Sequence, residues 1–140
     1  MINTKDAKKG TKNTKGKHEF DGLSGRVIGA ALEVHKALGP GLLESAYMRC
    51  MEAELKRSGI AVALEVPVKL SYKGVEIACG YRLDMVIENE LIVELKSVEA
   101  LRALHEAQIL TYMRLSGIPI GLLINFNTAR LRDGIKRFVI

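Results

Sequence analysis

The stretch 83–96 constrains this chain more than any other. It reads Leu83-Asp84-Met85-Val86-Ile87, then Glu88-Asn89-Glu90, then Leu91-Ile92-Val93-Glu94-Leu95-Lys96. Two apolar runs about a polar turn predict a β-hairpin. Side chains two apart on a strand share a face, so Glu94 and Lys96 point the same way. If Glu88, Asn89 and Glu90 form the loop, Ile87 lies opposite Leu91, Val86 opposite Ile92, and Asp84 opposite Glu94. Directly opposed residues have Cβ atoms about 4.5–5.5 Å apart, where like charges repel. A divalent cation bound there reverses that sign.

Charges in so apolar a setting have two readings. One is structural: a surface hairpin with solvated charges, or a single ion pair between Lys96 and a carboxylate. The other is a metal site, because buried charges are seldom retained without a partner or a cation. Two carboxylates and a backbone carbonyl suit Mg²⁺ or Mn²⁺, which take oxygen ligands and keep several waters. Asp84 and Glu94 are then the candidate ligands. Lys96, one pleat further on, is placed to stabilise or help deprotonate an attacking water.

The rest of the chain predicts an α/β arrangement, a mixed sheet with helices packed on it. Leu23, Val27, Ala31, Val34 and Leu38 recur at helical spacing, and Gly39-Pro40-Gly41 stops that helix. A second helix is expected over about 42–58, with Leu43, Ala46, Tyr47 and Cys50 on one stripe. The period then changes to two. Val62, Leu64, Val66, Val68 and Leu70 predict a strand, Lys73-Gly74 a tight turn, and 75–79 the return. Gly80 marks a bulge or kink before the strand of Asp84. The 91–96 strand is apolar on both faces apart from its charges, which predicts a central, covered place. A helix over about 100–115, a buried strand at 120–126 and an edge strand at 135–140 complete the order α-α-β-β-β-β-α-β-β.

A chain of 140 residues, 48% of them hydrophobic, predicts one domain with one core. No apolar run approaches the roughly 20 residues of a membrane span, and no secretory h-region is visible. Cys50 and Cys79 lack metal spacing and lie in apolar patterns, so buried free thiols in a reducing, cytoplasmic setting are expected. The net charge of +5 belongs to residues 1–18, which hold six lysines and Asp6; of 21 basic and 16 acidic groups, 15 of each remain for residues 19–140. With Met1, Ile2 and Ala7 as its only apolar side chains, 1–18 reads as a disordered basic tail and 19–140 as the domain. The tail is either a solubilising extension or a loose arm for nucleic-acid phosphates. A neutral domain with 5% aromatic residues offers few base-stacking or phosphate-binding surfaces, which keeps a structural or partner-binding role open.

Two further polar clusters stand on helices. Glu44 and Tyr47, three apart, share a face; Glu44 either complements the helix dipole or serves a site, and Tyr47 either packs or functions. His105, Gln108 and Tyr112 share a stripe of the third helix, with or without chemistry. His35 reads as a capping or packing histidine. No Cys/His set has zinc spacing, and there is no Gly-rich phosphate loop.

Val34-His35, Leu38-Gly39-Pro40-Gly41-Leu42-Leu43-Glu44 and Tyr47 resemble the signature of the GxxExxY proteins, small bacterial proteins assigned to the PD-(D/E)XK nuclease superfamily. Gly80-Tyr81-Arg82-Leu83-Asp84, Ile92-Val93-Glu94-Leu95-Lys96, His105-Glu106-Ala107-Gln108 with Tyr112, and Gly121-Leu122-Leu123-Ile124-Asn125-Phe126 extend the resemblance over about 22–140. It implies a restriction-endonuclease-like core, a central mixed β-sheet flanked by helices. It also implies Mg²⁺- or Mn²⁺-dependent hydrolysis of nucleic acid, DNA in the first place. No membrane partner is expected, and a homodimer is an admitted state. Asp84 and Glu94 match the metal-binding acids and Lys96 the catalytic lysine. Glu44 matches an acidic residue that many members contribute from an early helix, and Gln108 a polar residue on the helix after the hairpin. Gly41, Tyr47, His35, His105 and Tyr112 match motif positions without an assigned role. Leu83 stands where the named Pro would. The alternative is a non-catalytic nucleic-acid-binding or protein-interaction module that retains the fold.

Overall fold

The computed structural model describes residues 22–140, so the expectation for residues 1–18 lies outside the described residues. Two helices come first, α1 (Gly22–Leu38) and α2 (Glu44–Arg57). α1 buries Val27, Ala30, Ala31 and Val34. α2 buries Tyr47, Met51 and Leu55, a single stripe at four-residue spacing. Leu43, expected on that stripe, instead precedes the helix and is 77% exposed. In the connection between the helices Gly41 takes φ 103°, a backbone that side-chain-bearing residues avoid.

The strands are β1 (Val62–Pro67), β2 (Leu70–Tyr72), β3 (Val75–Ile77), β4 (Arg82–Ile87), β5 (Leu91–Lys96), β6 (Ile120–Asn125) and β7 (Ile135–Val139). Five of them form one mixed sheet in the order β1-β4-β5-β6-β7. β5 and β6 run parallel and the other neighbours antiparallel. A parallel pair needs a crossover, and α3 (Ala103–Ser116) supplies it. β5 lies in the middle with Leu91 to Leu95 all buried, the central place its composition predicts. The result is a mixed α/β core of the restriction-endonuclease type.

Each sheet face has its own core. α1 and α2 pack on Met85, Ile87, Leu91, Val93, Leu95, Leu122 and Ile124. α3 packs its Ile109, Tyr112 and Met113 on Leu83, Val86, Ile92 and Leu123. α3 lies so close that a Cβ added at Gly121 would stand 2.6 Å from Met113 Sδ.

The single strand expected over 62–70 is broken. Val62 and Leu64 pack on the α1/α2 face, whereas Val66 and Val68 pack on the α3 face. Strict alternation would keep them on one face. The reset falls at Glu65, which takes a left-handed φ of 52°. Its partner strand resets at the same level, with Met85 on one face and Leu83 on the other. Beyond Val68 the partner is lost, because β4 begins only after the chain turns at Gly80 with φ 76°. β2 and β3 therefore pair with each other alone, as a separate antiparallel ribbon. Cys50 and Cys79 are free thiols, half-buried rather than buried as expected. Among the described residues no helix is long and apolar enough to cross a membrane.

Candidate active site

The β4–β5 hairpin adopts the register its pattern dictates: Ile87 opposite Leu91, Val86 opposite Ile92, Met85 opposite Val93. Glu88 and Asn89 are left-handed, at φ 53° and 58°, the handedness that the favoured hairpin turns require. Glu88 is held there by Ala61, whose N–H donates to Glu88 Oε2 at 2.7 Å and whose carbonyl accepts the Glu88 N–H at 2.9 Å.

One step further along, at Asp84 and Glu94, side chains take over from the ladder. The Asp84 N–H donates to Glu94 Oε2 at 3.0 Å, and the Leu95 N–H donates to Asp84 Oδ2 at 2.8 Å. Each carboxyl thus satisfies an amide that the opening ladder would otherwise orphan. The two carboxyls also act on each other, the Asp84 charge raising the proton affinity of Glu94.

Burial sets their proton affinity. Glu94 is 4% exposed. Loss of water, reinforced by the Asp84 charge, pushes its carboxyl up to about 8. Asp84 is also raised, first by burial and further by Glu44, against the opposing pull of the Leu95 amide and Lys96. Two carboxyls this close share a proton rather than ionise together. Burial and this repulsion both favour the protonated form of Glu94 beside Asp84.

The surrounding elements supply the remaining candidates. Lys96 Nζ donates to Gln108 Oε1 at 3.5 Å, which ties β5 to α3. One turn further along α3 stands Tyr112, whose hydroxyl is raised first by burial and then by the Glu94 charge. From the opposite side, Glu44 opens α2 and accepts the Ser97 N–H at 3.4 Å. A cavity of about 480 Å³ lies there, lined by Leu42, Glu44, Glu65, Asp84, Leu95 and Ser97 among others. Asp84 links two groups: it shares the cavity wall with Glu44, and it meets Glu94 across the hairpin, on the strand whose Lys96 reaches Gln108; Glu94, Lys96 and Gln108 do not line that cavity.

Tyr47 and Gly41 act on that region indirectly. The Tyr47 hydroxyl donates to Gly39 O at 2.6 Å and accepts the Leu42 N–H at 3.1 Å, while its ring stacks on Phe126 at 4.4 Å. This fixes the loop that carries Glu44 into α2. His105 and His35 stand apart from the carboxyls. His105 Nδ1 accepts the Arg102 N–H at 3.0 Å and caps α3. His35 Nε2 lies 2.9 Å from Thr128 O and joins α1 to the loop after β6.

Two contributors, Ser97 and Glu65, escaped sequence reasoning, and a third, Asn125, stood in a motif run without a role. Ser97 donates its hydroxyl to Leu42 O at 2.6 Å, which clamps the Glu44 loop onto the end of β5. Buried Asn125 accepts the Val98 N–H at 3.0 Å and donates to Val98 O at 2.9 Å, which fixes the chain leaving Lys96. Glu65 stands opposite Asp84 and lines the cavity. A lone polar residue after a strand gives no periodic signal, and left-handed φ at a glutamate gives none at all.

Among the described residues no three His, Cys, Asp or Glu side chains gather into a complete metal cage. A Mg²⁺-type ion does not require one, since it is held by one or two carboxylates and completed by water. The chemistry of the pair fits such an ion. Two hard oxygen donors meet in a place that starves them of solvent, and a cation reverses the proton preference that burial imposes.

A family model described as the PD-(D/E)XK nuclease superfamily matches residues 21–138. That span takes in the hairpin with Asp84, Glu94 and Lys96, the start of α2 with Glu44, and α3 with Gln108. No curated protein and no solved structure matches. The family match covers most of the chain, and the architecture agrees with it: the protein belongs to the PD-(D/E)XK nuclease superfamily.

Proposed function

We propose that this protein is a member of the GxxExxY type that hydrolyses phosphodiester bonds of nucleic acid, DNA in the first place, with Mg²⁺ or Mn²⁺. The observation that carries the reading is the meeting of the Asp84 and Glu94 carboxyls across the hairpin, on the strand that carries Lys96. Asp84 and Glu94 would hold the cation, with Glu94 giving up its proton on binding. When bound, the ion supplies polarisation of a phosphate oxygen and screening of transition-state charge. Lys96, steadied by Gln108, orients the attacking water and lowers the cost of deprotonating it. Glu44 shares the cavity wall with Asp84 and would ligate directly or through water.

The test is cleavage of single- and double-stranded DNA and RNA by the full chain with Mg²⁺, Mn²⁺ or EDTA, beside Lys96→Ala. The expected result is metal-dependent cleavage, reduced roughly 10²- to 10⁴-fold in the variant. Wild-type protein that cleaves nothing, or a variant that cleaves undiminished, overturns the reading. Sedimentation of the same samples separates a monomer from a homodimer. One observation favours the rival, a non-cleaving binding module: each carboxyl has an oxygen engaged by a backbone amide. That rival predicts nucleic-acid binding without metal-dependent cleavage.

A further inference from the structure

Tyr81, three residues before Asp84, is an aromatic side chain that offers a flat face to water. It is 52% exposed, whereas Tyr112 is 7% exposed and Tyr47 is sealed. Its backbone is pinned, because its carbonyl accepts the Val68 N–H at 2.9 Å. Its ring centroid lies 6.1 Å from that of Tyr112, tilted by 47°. Tyr112 stands one turn from Gln108 on α3, and Gln108 accepts from Lys96. A continuous line of side chains therefore runs outward from Lys96 to an open aromatic ring.

We infer that Tyr81 is a stacking platform for an unpaired nucleobase, so that the site takes strands with free bases in preference to intact duplex. The inference deepens the reading of the carboxyl pair as a phosphodiester-cleaving centre and rests on it for the position of the strand. Tyr81 precedes Asp84 by three residues, at most about 10 Å of extended chain. At about 3.4 Å per stacked nucleotide that is the reach of some three nucleotides. A base whose phosphate chain passes the carboxyls is thus within range of the ring.

Charge points the same way. With 15 basic and 15 acidic groups over residues 19–140, the domain has little general attraction for phosphate. Whatever residues 1–18 add, the domain's own affinity must then come largely from contacts to bases, and aromatic stacking provides it without reading sequence. A paired base inside a duplex has both faces covered by its neighbours. Stacking on Tyr81 therefore selects single strands, frayed ends or flipped bases over closed helix.

The alternative is that Tyr81 merely shields Tyr112 from water. A leucine shields as well but has no flat π-face, and phenylalanine and tryptophan restore one. The experiment is fluorescence anisotropy of labelled oligothymidine, oligouridine and a blunt DNA duplex with the full chain. Ca²⁺ replaces Mg²⁺ to hold back cleavage, and melting temperatures are recorded for Tyr81→Leu, Tyr81→Phe and Tyr81→Trp. Wild type should bind the single strands more tightly than the duplex. Tyr81→Leu should weaken single-strand binding about 5- to 150-fold and leave duplex binding unchanged. Tyr81→Phe should bind as wild type and Tyr81→Trp at least as tightly, and they carry the test if the leucine variant does not fold. The two oligonucleotides report whether the sugar matters.

Equal binding of duplex and single strand by wild type overturns the inference. So does a folded Tyr81→Leu that binds as wild type, or a Tyr81→Trp as weak as the leucine variant. A wild type that cleaves while its affinity ignores Tyr81 overturns the inference alone. A wild type that never cleaves, yet binds single strands in a Tyr81-dependent way, overturns the catalytic reading alone.

Discussion

The chain builds two antiparallel hairpins, β4–β5 and β2–β3, from similar local material. Each joins apolar residues through a polar turn with left-handed backbone, Glu88 and Asn89 in one and Lys73 and Gly74 in the other. Their surroundings differ. β4 and β5 have β1 and β6 as neighbours and helices over both faces, so five of the six residues of β5 are buried. β2 and β3 have only each other, and every residue of β3 is exposed. Tyr72 and Val75 stand 62% and 58% open to water. The local pattern makes a hairpin in both places; position in the sheet decides which hairpin can carry chemistry. A carboxyl changes character only where water is withdrawn from it, and the carboxyls so treated are Asp84 and Glu94.

The largest effect should come from removing the charge of Asp84 in two different ways. Asp84→Asn keeps an oxygen for the Leu95 N–H, whereas Asp84→Ala removes it. Both should lower metal-dependent cleavage roughly 10²- to 10⁴-fold. Their stabilities should part in EDTA at pH 8. Asparagine relieves the repulsion on Glu94 and should hold or raise the urea midpoint. Alanine leaves a buried amide without an acceptor and should cost about 1–3 kcal/mol. Equal loss from both variants would mean that the carboxyl's charge, rather than its hydrogen bond, maintains the fold.

The next effect is a pH dependence peculiar to the buried hairpin. The Glu94 carboxyl titrates near 8 in the folded chain and near 4.5 when free. Between those values the folded state binds more protons than the unfolded one, so stability falls as pH rises. The contribution is fully present below about pH 4.5 and is lost as pH climbs through 8, with a limiting slope of about 1.4 kcal/mol per pH unit. Urea melts at pH 5, 6.5 and 8 in EDTA should show the decline, and Glu94→Gln should flatten it. Saturating Mg²⁺ should restore stability most at pH 8, where, of the three, the proton competes least for the site. A wild-type profile that is flat in EDTA would show that water reaches Glu94, and would erase the difference between the two hairpins.

Much of this was legible in the residues. The β4–β5 register follows from an odd-length polar turn between apolar runs, because a slip by one residue would bury the wrong face. The central place of β5 follows from its unbroken apolar run. Other features were not legible, for physical reasons. The face switch at Glu65 depends on a left-handed backbone that glutamate rarely adopts, so alternation predicted an unbroken strand. The exchange of ladder hydrogen bonds for carboxyl–amide bonds has no periodic signature. Tyr47 matched a motif position, but its task of holding Gly39 and Leu42 appears only once the loop has been folded back on α2. Local alternation reports which face a residue takes; it does not report what lies across from that face, and the site is made of such cross-chain contacts.

The smallest effect isolates burial from chemistry by making one substitution in both hairpins. Valine and threonine have nearly the same shape, and differ by a hydroxyl in place of a methyl. Val93 on β5 is sealed, and Val75 on β3 is 58% exposed. Val93→Thr places a hydroxyl among Met85, Leu91 and Leu95 and their neighbours, and should cost about 1–3 kcal/mol. Val75→Thr exposes its hydroxyl to water and should change stability by no more than about 0.5 kcal/mol. Threonine also suits a strand, so the ribbon should keep its pairing. Urea melts of both variants give the comparison directly. A cost at Val75 close to that at Val93 would mean that the ribbon is covered in solution, by a second copy of the chain or by residues 1–21, and dilution of the sample together with deletion of 1–21 would separate those two covers.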